Sequence, residues 1–185
     1  ARCLAKVTLR AIRIPKKLFY HAAAGQNKCG EVTICPYMAS FNIVSFGKRK
    51  ENLLLALKME TIGSALTTFK DSIEPGATVF LHCNGMIWAT ARVNSGYFFS
   101  ENRIWSDKIY PHRFKISLIK FAKIPIKLSD GTINVKFRER FGAGWAYRFI
   151  FSPKPVPPDI AQLISVGIEK SESALGDYEK IIETF

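Results

Sequence analysis

The sequence predicts a mixed α/β (α+β) fold, a curved sheet or partly open β-barrel flanked by helices, and three observations carry that expectation. Two β-prone runs, Thr78–Cys83 and Met86–Val93, flank Asn84-Gly85, the strongest short-range hairpin signature a sequence offers. Leu53, Leu54, Leu55, Leu57 and Met59 follow a basic entrance, Lys48-Arg49-Lys50-Glu51-Asn52, and read as a short helix. The segment Ser152-Pro-Lys-Pro-Val-Pro-Pro-Asp159 ends the β-rich part and offers Asp159 as the N-cap of a closing helix from Ile160, with Gly167 and Gly176 as its weak points.

The remaining elements follow from period and punctuation. Residues 6–11 alternate polar and apolar like a half-buried strand, and the Gly25–Gly30 stretch breaks the pattern. Two β-rich runs, Glu31–Cys35 and Phe41–Phe46, lie either side of Pro36. Glu74-Pro75-Gly76 marks a turn, and Ser95–Tyr110 is a loop rich in aromatic residues. Strands are expected at His112–Phe121, at Thr132–Arg138 after an Asp130-Gly131 turn, and at Trp145–Phe151, with Gly142-Ala143-Gly144 as a hairpin turn. The chain divides into an N-terminal arm (1–40), one folded domain (41–166) and a helical connector (167–185) to a domain beyond this chain; no internal repeat is evident.

With 185 residues, 48% of them hydrophobic, the chain can fill one core and carry an appendage. The formal charge of +12 is uneven: residues 1–150 hold 24 Lys and Arg against 9 Asp and Glu, and residues 151–185 hold 3 against 6. A field of that sign draws polyanions through counterion release, and nucleic acid is the commonest in a cell. An anionic membrane surface is the alternative. No stretch approaches the ~20 apolar residues of a membrane span. Cys3, Cys29, Cys35 and Cys83 contain no C-x-x-C pair and are few for a disulfide framework, so a reducing, cytoplasmic setting is expected.

A search for catalytic chemistry finds no complete motif. Cys83 beside His82 falls in an expected strand, where neighbouring side chains point to opposite faces, and a buried core thiol explains it better than a nucleophile. His21, His82 and His112 lack the paired spacing of a zinc site, so neither metal nor cofactor is expected. Gly142-Ala143-Gly144 lacks the rest of a dinucleotide fingerprint, and there is no P-loop. What remains is bases interleaved with aromatics: Lys48-Arg49-Lys50, and the run through Arg103, Trp105, Lys108, Tyr110 and Arg113. Cations can neutralise phosphates while an aromatic face takes an unstacked base, at ~1–3 kcal/mol per base. Trp88 and Trp145, inside expected strands, read as core, whereas Trp105 in a polar loop reads as functional. An enzyme acting on nucleic acid would need a titratable group beside Trp105, with His112 and Glu51 as candidates; a protein-interaction module would use the aromatics as anchors.

Over about residues 41–166 the order and spacing of several pieces resemble the EVE and YTH branch of the PUA-like superfamily, whose members bind modified or flipped bases. The pieces are Glu51-Asn52 opening a helix, Glu60-Thr61-Ile62-Gly63-Ser64, Glu74-Pro75-Gly76, Ile104-Trp105, Tyr110-Pro-His-Arg-Phe-Lys-Ile116 and Pro155–Ile164. The resemblance implies a base-binding pocket of Asn52, Ile62, Ser64, Trp105 and Tyr110. Asn52 would read the base edge, Trp105 and Tyr110 would be cage walls, and Ile62 would stand where readers place a tryptophan. Lys48, Arg49, Lys50, Lys108 and Arg113 would hold the flanking phosphates. It further implies a partner, DNA with a methylated base (adenine favoured, cytosine open), with RNA as the alternative. The setting resembles the recognition module of an McrB-type modification-dependent restriction NTPase, whose AAA+ motor would follow this chain; a stand-alone EVE-like reader of RNA or DNA is the competing version.

Overall fold

The computed structural model describes residues 40–129, 131–152, 154–171 and 177–184. The expected strand at 6–11, the run Glu31–Cys35, the basic arm and Gly176 lie outside these residues. The first described elements are β1 (Phe41–Ser45), α1 (Lys50–Lys58), β2 (Thr61–Ser64) and a 3-10 turn at Thr67–Asp71. They are followed by β3 (Thr78–Cys83), β4 (Met86–Val93), β5 (Phe98–Phe99) and β6 (His112–Lys127). The chain then becomes helical: α2 (Gly131–Phe141), a π-helical turn (Tyr147–Phe151), α3 (Pro158–Lys170) and α4 (Tyr178–Thr184).

The strands form one sheet in the order β1-β3-β4-β6-β2, with β5 also on β6. Among the described strands only β1 and β3 run parallel, as Phe41 pairs with Thr78 and Ser45 with His82; the other pairs are antiparallel. All six residues of β3 are buried, because the sheet is covered on both faces. Alternation then sorts side chains into two layers. Val79, Leu81 and Trp88 face one core with Leu53 and Leu57 of α1, while Phe80, Ile43 and Ile87 face the other with Ile160 and Ile164 of α3.

Two local devices shape the sheet. Asn84 and Gly85 both have positive φ, 52° and 78°, as a two-residue turn matched to the strand twist requires. The long β6 breaks register against β4 between Ile87 and Ala89 and again between Thr90 and Ala91. Such bulges bend a strand, so β6 can serve β4 with one half and β2 and β5 with the other. Pro125, which has no amide proton to give a ladder, falls in the unpaired stretch between Phe121 and Ile126.

Four expectations need correction. Thr132–Arg138 is helical, part of α2, not a strand, and Trp145–Phe151 is likewise helical. Ile133, Val135 and Phe137 do alternate, but the stronger signal is the spacing of four in Phe137, Phe141, Trp145 and Phe149. The turn at residues 142–144 brings the second helical stretch against α2 and gathers those rings: Phe137 stacks on Trp145 at 4.3 Å and meets Phe149 at 5.1 Å between centroids. Gly142 is accordingly no hairpin turn. With φ at 73° it closes α2, its N–H reaching the Arg138 carbonyl at 2.8 Å. Asp159 is not an N-cap; Pro157 holds that place, and Asp159 in the first turn accepts from Arg140 at 3.2 Å.

Toward the C-terminus, α3 runs through Gly167 to Lys170, past the expected boundary at 166. A Cβ on Gly167 would stand 2.7 Å from Ile126 Cδ1, so a glycine there lets α3 lie close on β6. Tyr178 of α4 packs on Phe121, and Glu179 pairs with Lys58 at 2.9 Å.

Candidate nucleic-acid interface

A cavity of about 640 Å³ opens where four segments meet: the loop from β1 into α1, the end of β2 with the loop after it, residues 107–110, and the last residues of the π-helical turn. That volume suits a small ligand or a single base. Lys48, Arg49 and Lys108 stand on its lining together with Ser64, Asp107 and Tyr110, and Phe46, Leu66 and Phe151 supply apolar surface.

The polar centre of this wall is Asp107, which the sequence reading passed over. Its carboxylate accepts from the Asn52 amide (Nδ2 to Oδ1, 3.1 Å) and from the Tyr110 hydroxyl (to Oδ2, 2.7 Å), and pairs with Arg49 Nε at 3.6 Å. Burial alone would raise its pKa. The hydrogen bonds from Tyr110, Asn52 and the Lys108 backbone, with the Arg49 charge, outweigh that and hold it below the usual carboxylate value. Asp107 is thus anionic at neutral pH. Burial and the hydrogen bond to Asp107 push the Tyr110 phenol up to about 12, so it stays protonated and donating. Asn52 is buried, and its side-chain oxygen has no hydrogen-bond partner.

The expected pocket residues separate into three groups. Ser64 and Tyr110 line the cavity, as do the expected phosphate ligands Lys48, Arg49 and Lys108. Asn52 and Trp105 stand one layer behind. The Trp105 ring is 1% exposed, its N–H donates to the Asn52 backbone carbonyl at 3.1 Å, and it meets Tyr110 edge-on at 5.1 Å. The open stacking face expected there is therefore covered, because the loop folds the ring inward against Gly63. A Cβ on Gly63 would stand 2.7 Å from Trp105 Cη2 and 3.1 Å from Tyr110 Cβ.

Ile62 and Arg113 lie elsewhere. Ile62 is fully buried in the core beside Leu53 and Phe114; alternation along β2 turns Gly63 to the cavity, and Ser64, the last residue of the strand, lines it as well. Arg113 is no phosphate ligand: it is buried on β6, its Nε donates to the Tyr110 carbonyl at 2.7 Å and its Nη2 to the Asn102 carbonyl. Its guanidinium lies over the Trp105 ring, 5.5 Å from the centroid. It is the brace of the Trp105–Tyr110 loop. Lys50 begins α1, half-buried and off the cavity lining.

One further pair borders the cavity. Ser45 Oγ and His82 Nδ1 stand 3.0 Å apart, and Ser45 is on the lining. Burial lowers the His82 pKa to about 4, a weak base for activating a hydroxyl, and its Nε2 has no partner to orient it. The pair lacks the third member that nucleophilic catalysis uses. Cys83 is a core thiol, as expected, with burial pushing its pKa up to about 11. Trp88 and Trp145 are core as well, their indole N–H groups satisfied by the Cys83 carbonyl and the Asn134 side chain, both at 3.1 Å. Among the described residues no group of three metal-ligating side chains stands close enough to hold a metal, and no helix is long and apolar enough to cross a membrane.

No protein-family model and no curated protein matches the sequence. Solved structures do. The YTH domain of the Zygosaccharomyces rouxii MRB1 protein, solved with N6-methyladenosine RNA, superposes with a TM-score of 0.51 at 15% identity, over 75% of this chain and 92% of that one. The YTH domain of Mmi1, solved with RNA, gives a TM-score of 0.52 at 11% identity, over 71% and 79%. At such identities the likeness speaks for architecture, and the architecture is a YTH-like α+β fold, a curled sheet with flanking helices.

Proposed function

We propose that this chain is a binding module that reads a methylated base, adenine favoured, in a nucleic acid, and carries out no reaction itself. The observation that carries the reading is the ionised Asp107 in the wall of a base-sized cavity whose rim holds Lys48, Arg49 and Lys108. A polyanion with one extruded base suits that arrangement: cations meet the backbone, and a fixed acceptor meets an exocyclic N–H on the base edge. Phe46, Leu66 and Phe151 give a methyl group apolar surface. The YTH fold supports the reading, since the MRB1 domain was solved with N6-methyladenosine RNA.

The finer proposal from the sequence, a DNA-targeting domain of a modification-dependent restriction system with an AAA+ motor after this chain, predicts that methylated DNA outcompetes methylated RNA. The deciding experiment titrates the chain with nine-nucleotide RNA and DNA strands, each with a central adenine or N6-methyladenine. One buried methyl group at ~0.8 kcal/mol predicts about fourfold tighter binding of the methylated strand. Equal binding of all four strands would sink the base-reader reading and leave a general polyanion binder.

A further inference from the structure

The π-helical turn Tyr147–Phe151 sorts its rings by face. Phe149 is 1% exposed, and Trp145 just before the turn is 6% exposed; both are in the outer core. Tyr147 and Phe151 face solvent at 74% and 62% exposure, with ring centroids 6.2 Å apart and planes inclined by 41°. Phe151 also lines the cavity, so the pair forms a track leading away from it. Two large exposed rings side by side are more than the scattered apolar surface of an ordinary protein face. A π-helical turn is itself an uncommon geometry, frequent at functional sites.

The charge around the pair names an occupant. From Arg140 to Pro158 the sequence holds Arg140, Arg148 and Lys154 and no acid. The next acid, Asp159, is already held by Arg140 at 3.2 Å and Lys136 at 3.8 Å. Arg148 and Lys154 are exposed, and Lys48 and Arg49 line the same cavity as Phe151. Rings interleaved with cations along 140–158 and continuous with a base-sized cavity match the pattern by which single strands are held: backbone on cations, bases on aromatic faces.

We propose that Tyr147 and Phe151 form a stacking platform for the bases next to the one in the cavity, so that the chain binds a single-stranded segment and not a lone nucleotide. This rests on the base-reader reading and extends it to a second site. It assigns Phe151 to the base adjoining the cavity and Tyr147 to the next. Such a platform gives length dependence with little sequence preference, because every base has a π-face.

The test uses a nine-nucleotide RNA with a central N6-methyladenine, measured by fluorescence anisotropy, and N6-methyladenosine 5′-monophosphate, measured by ligand-observed NMR. Tyr147→Ala is expected to weaken the nonamer about tenfold and leave the mononucleotide unchanged, with Tyr147→Phe binding as wild type. Ile124→Ala, which removes another exposed apolar side chain (67%) away from the cavity lining, is expected to change neither. Wild-type nonamer affinity in Tyr147→Ala overturns the platform and leaves the cavity reading standing. A wild-type chain that binds neither probe overturns both.

Discussion

Trp88 and Trp105 are both fully buried, yet different forces hold them. Trp88 sits in β4 among Leu81, Val79 and Phe121, and its N–H is satisfied by the Cys83 carbonyl, five residues away across the hairpin. Trp105 sits in a loop, bonded to the Asn52 carbonyl fifty-three residues away, braced from above by Arg113 and seated on Gly63. The hairpin region is apolar burial on a local scaffold. The loop region is a polar network that joins α1, β2 and β6, and it is the one that borders the cavity. Changes in the first should cost stability and spare recognition; changes in the second should cost recognition whatever they do to stability.

Trp88→Ala gives the sharpest form of that contrast. Emptying a fully buried indole site should cost about 3–5 kcal/mol, read as a lower urea midpoint, while the folded fraction keeps its nucleic-acid affinity. A comparable loss of affinity per folded molecule would show that the two regions are not separable. The next largest effect is a pH dependence. His82 has a folded pKa near 4 against 6.5 unfolded, so the unfolded chain binds a proton between those values that the folded chain does not. Stability should be full above about pH 6.5 and should fall by roughly 3 kcal/mol on acidification to about pH 4. His82→Gln should flatten that slope in urea titrations at stepped pH; an unchanged slope would place the acid sensitivity elsewhere.

The same contrast decides what the sequence could reveal. The Asn84-Gly85 hairpin, α1 and the helix after the proline run were legible because their signals are local: turn chemistry, a leucine stripe, a breaker. Trp88 was legible as core because a tryptophan in a strand has few other places to go; Trp145 is core as well, although the strand that suggested it is a helix. The α2 segment is hard to read from period, because Ile133-Val135-Phe137 alternates like a strand while only one pair of its rings, Phe137 and Phe141, shows the spacing of four. The cavity was only partly legible. Lys48, Arg49, Ser64, Lys108 and Tyr110 line it, but Asp107 emerges as its centre only when Asn52 and Tyr110 reach it from 55 and 3 residues away. Gly63 would have been legible had the period of β2 been used, since a buried Ile62 turns its neighbour to the opposite face.

Gly63 gives the third prediction. Adding one methyl group in Gly63→Ala places carbon 2.7 Å from the Trp105 ring, a contact the ring can relieve only by leaving its seat. Overpacking of this kind costs about 1–3 kcal/mol, and the displaced ring should also spoil the cavity. Thermal denaturation and anisotropy titration on the same sample separate the two effects. A stable variant with intact affinity would mean that the Trp105 seat is not part of recognition.

The smallest expected stability effect is at Asp107, where the comparison is most exposed to failure. Asp107→Asn keeps the shape and removes the charge, so an amide must replace a carboxylate that accepts from Asn52 and Tyr110 and pairs with Arg49. Two hydrogen bonds at about 0.5–1.5 kcal/mol each are at stake, and the amide can keep one through its oxygen, so the net loss should be near 1 kcal/mol. Recognition should suffer more, because an amide that turns its NH2 group to the cavity donates where a carboxylate accepts. A base no longer held at its edge does not seat its methyl group on the apolar wall, so the preference for the methylated strand should vanish while weak salt-dependent binding to Lys48, Arg49 and Lys108 survives. In the wild type the preference should hold at neutral pH and fade only at a pH below the ordinary carboxylate range, because protonating Asp107 makes the same change that the substitution makes. A methyl preference that persists in Asp107→Asn would move the reading of the base away from this carboxylate and onto the apolar wall of Phe46, Leu66 and Phe151.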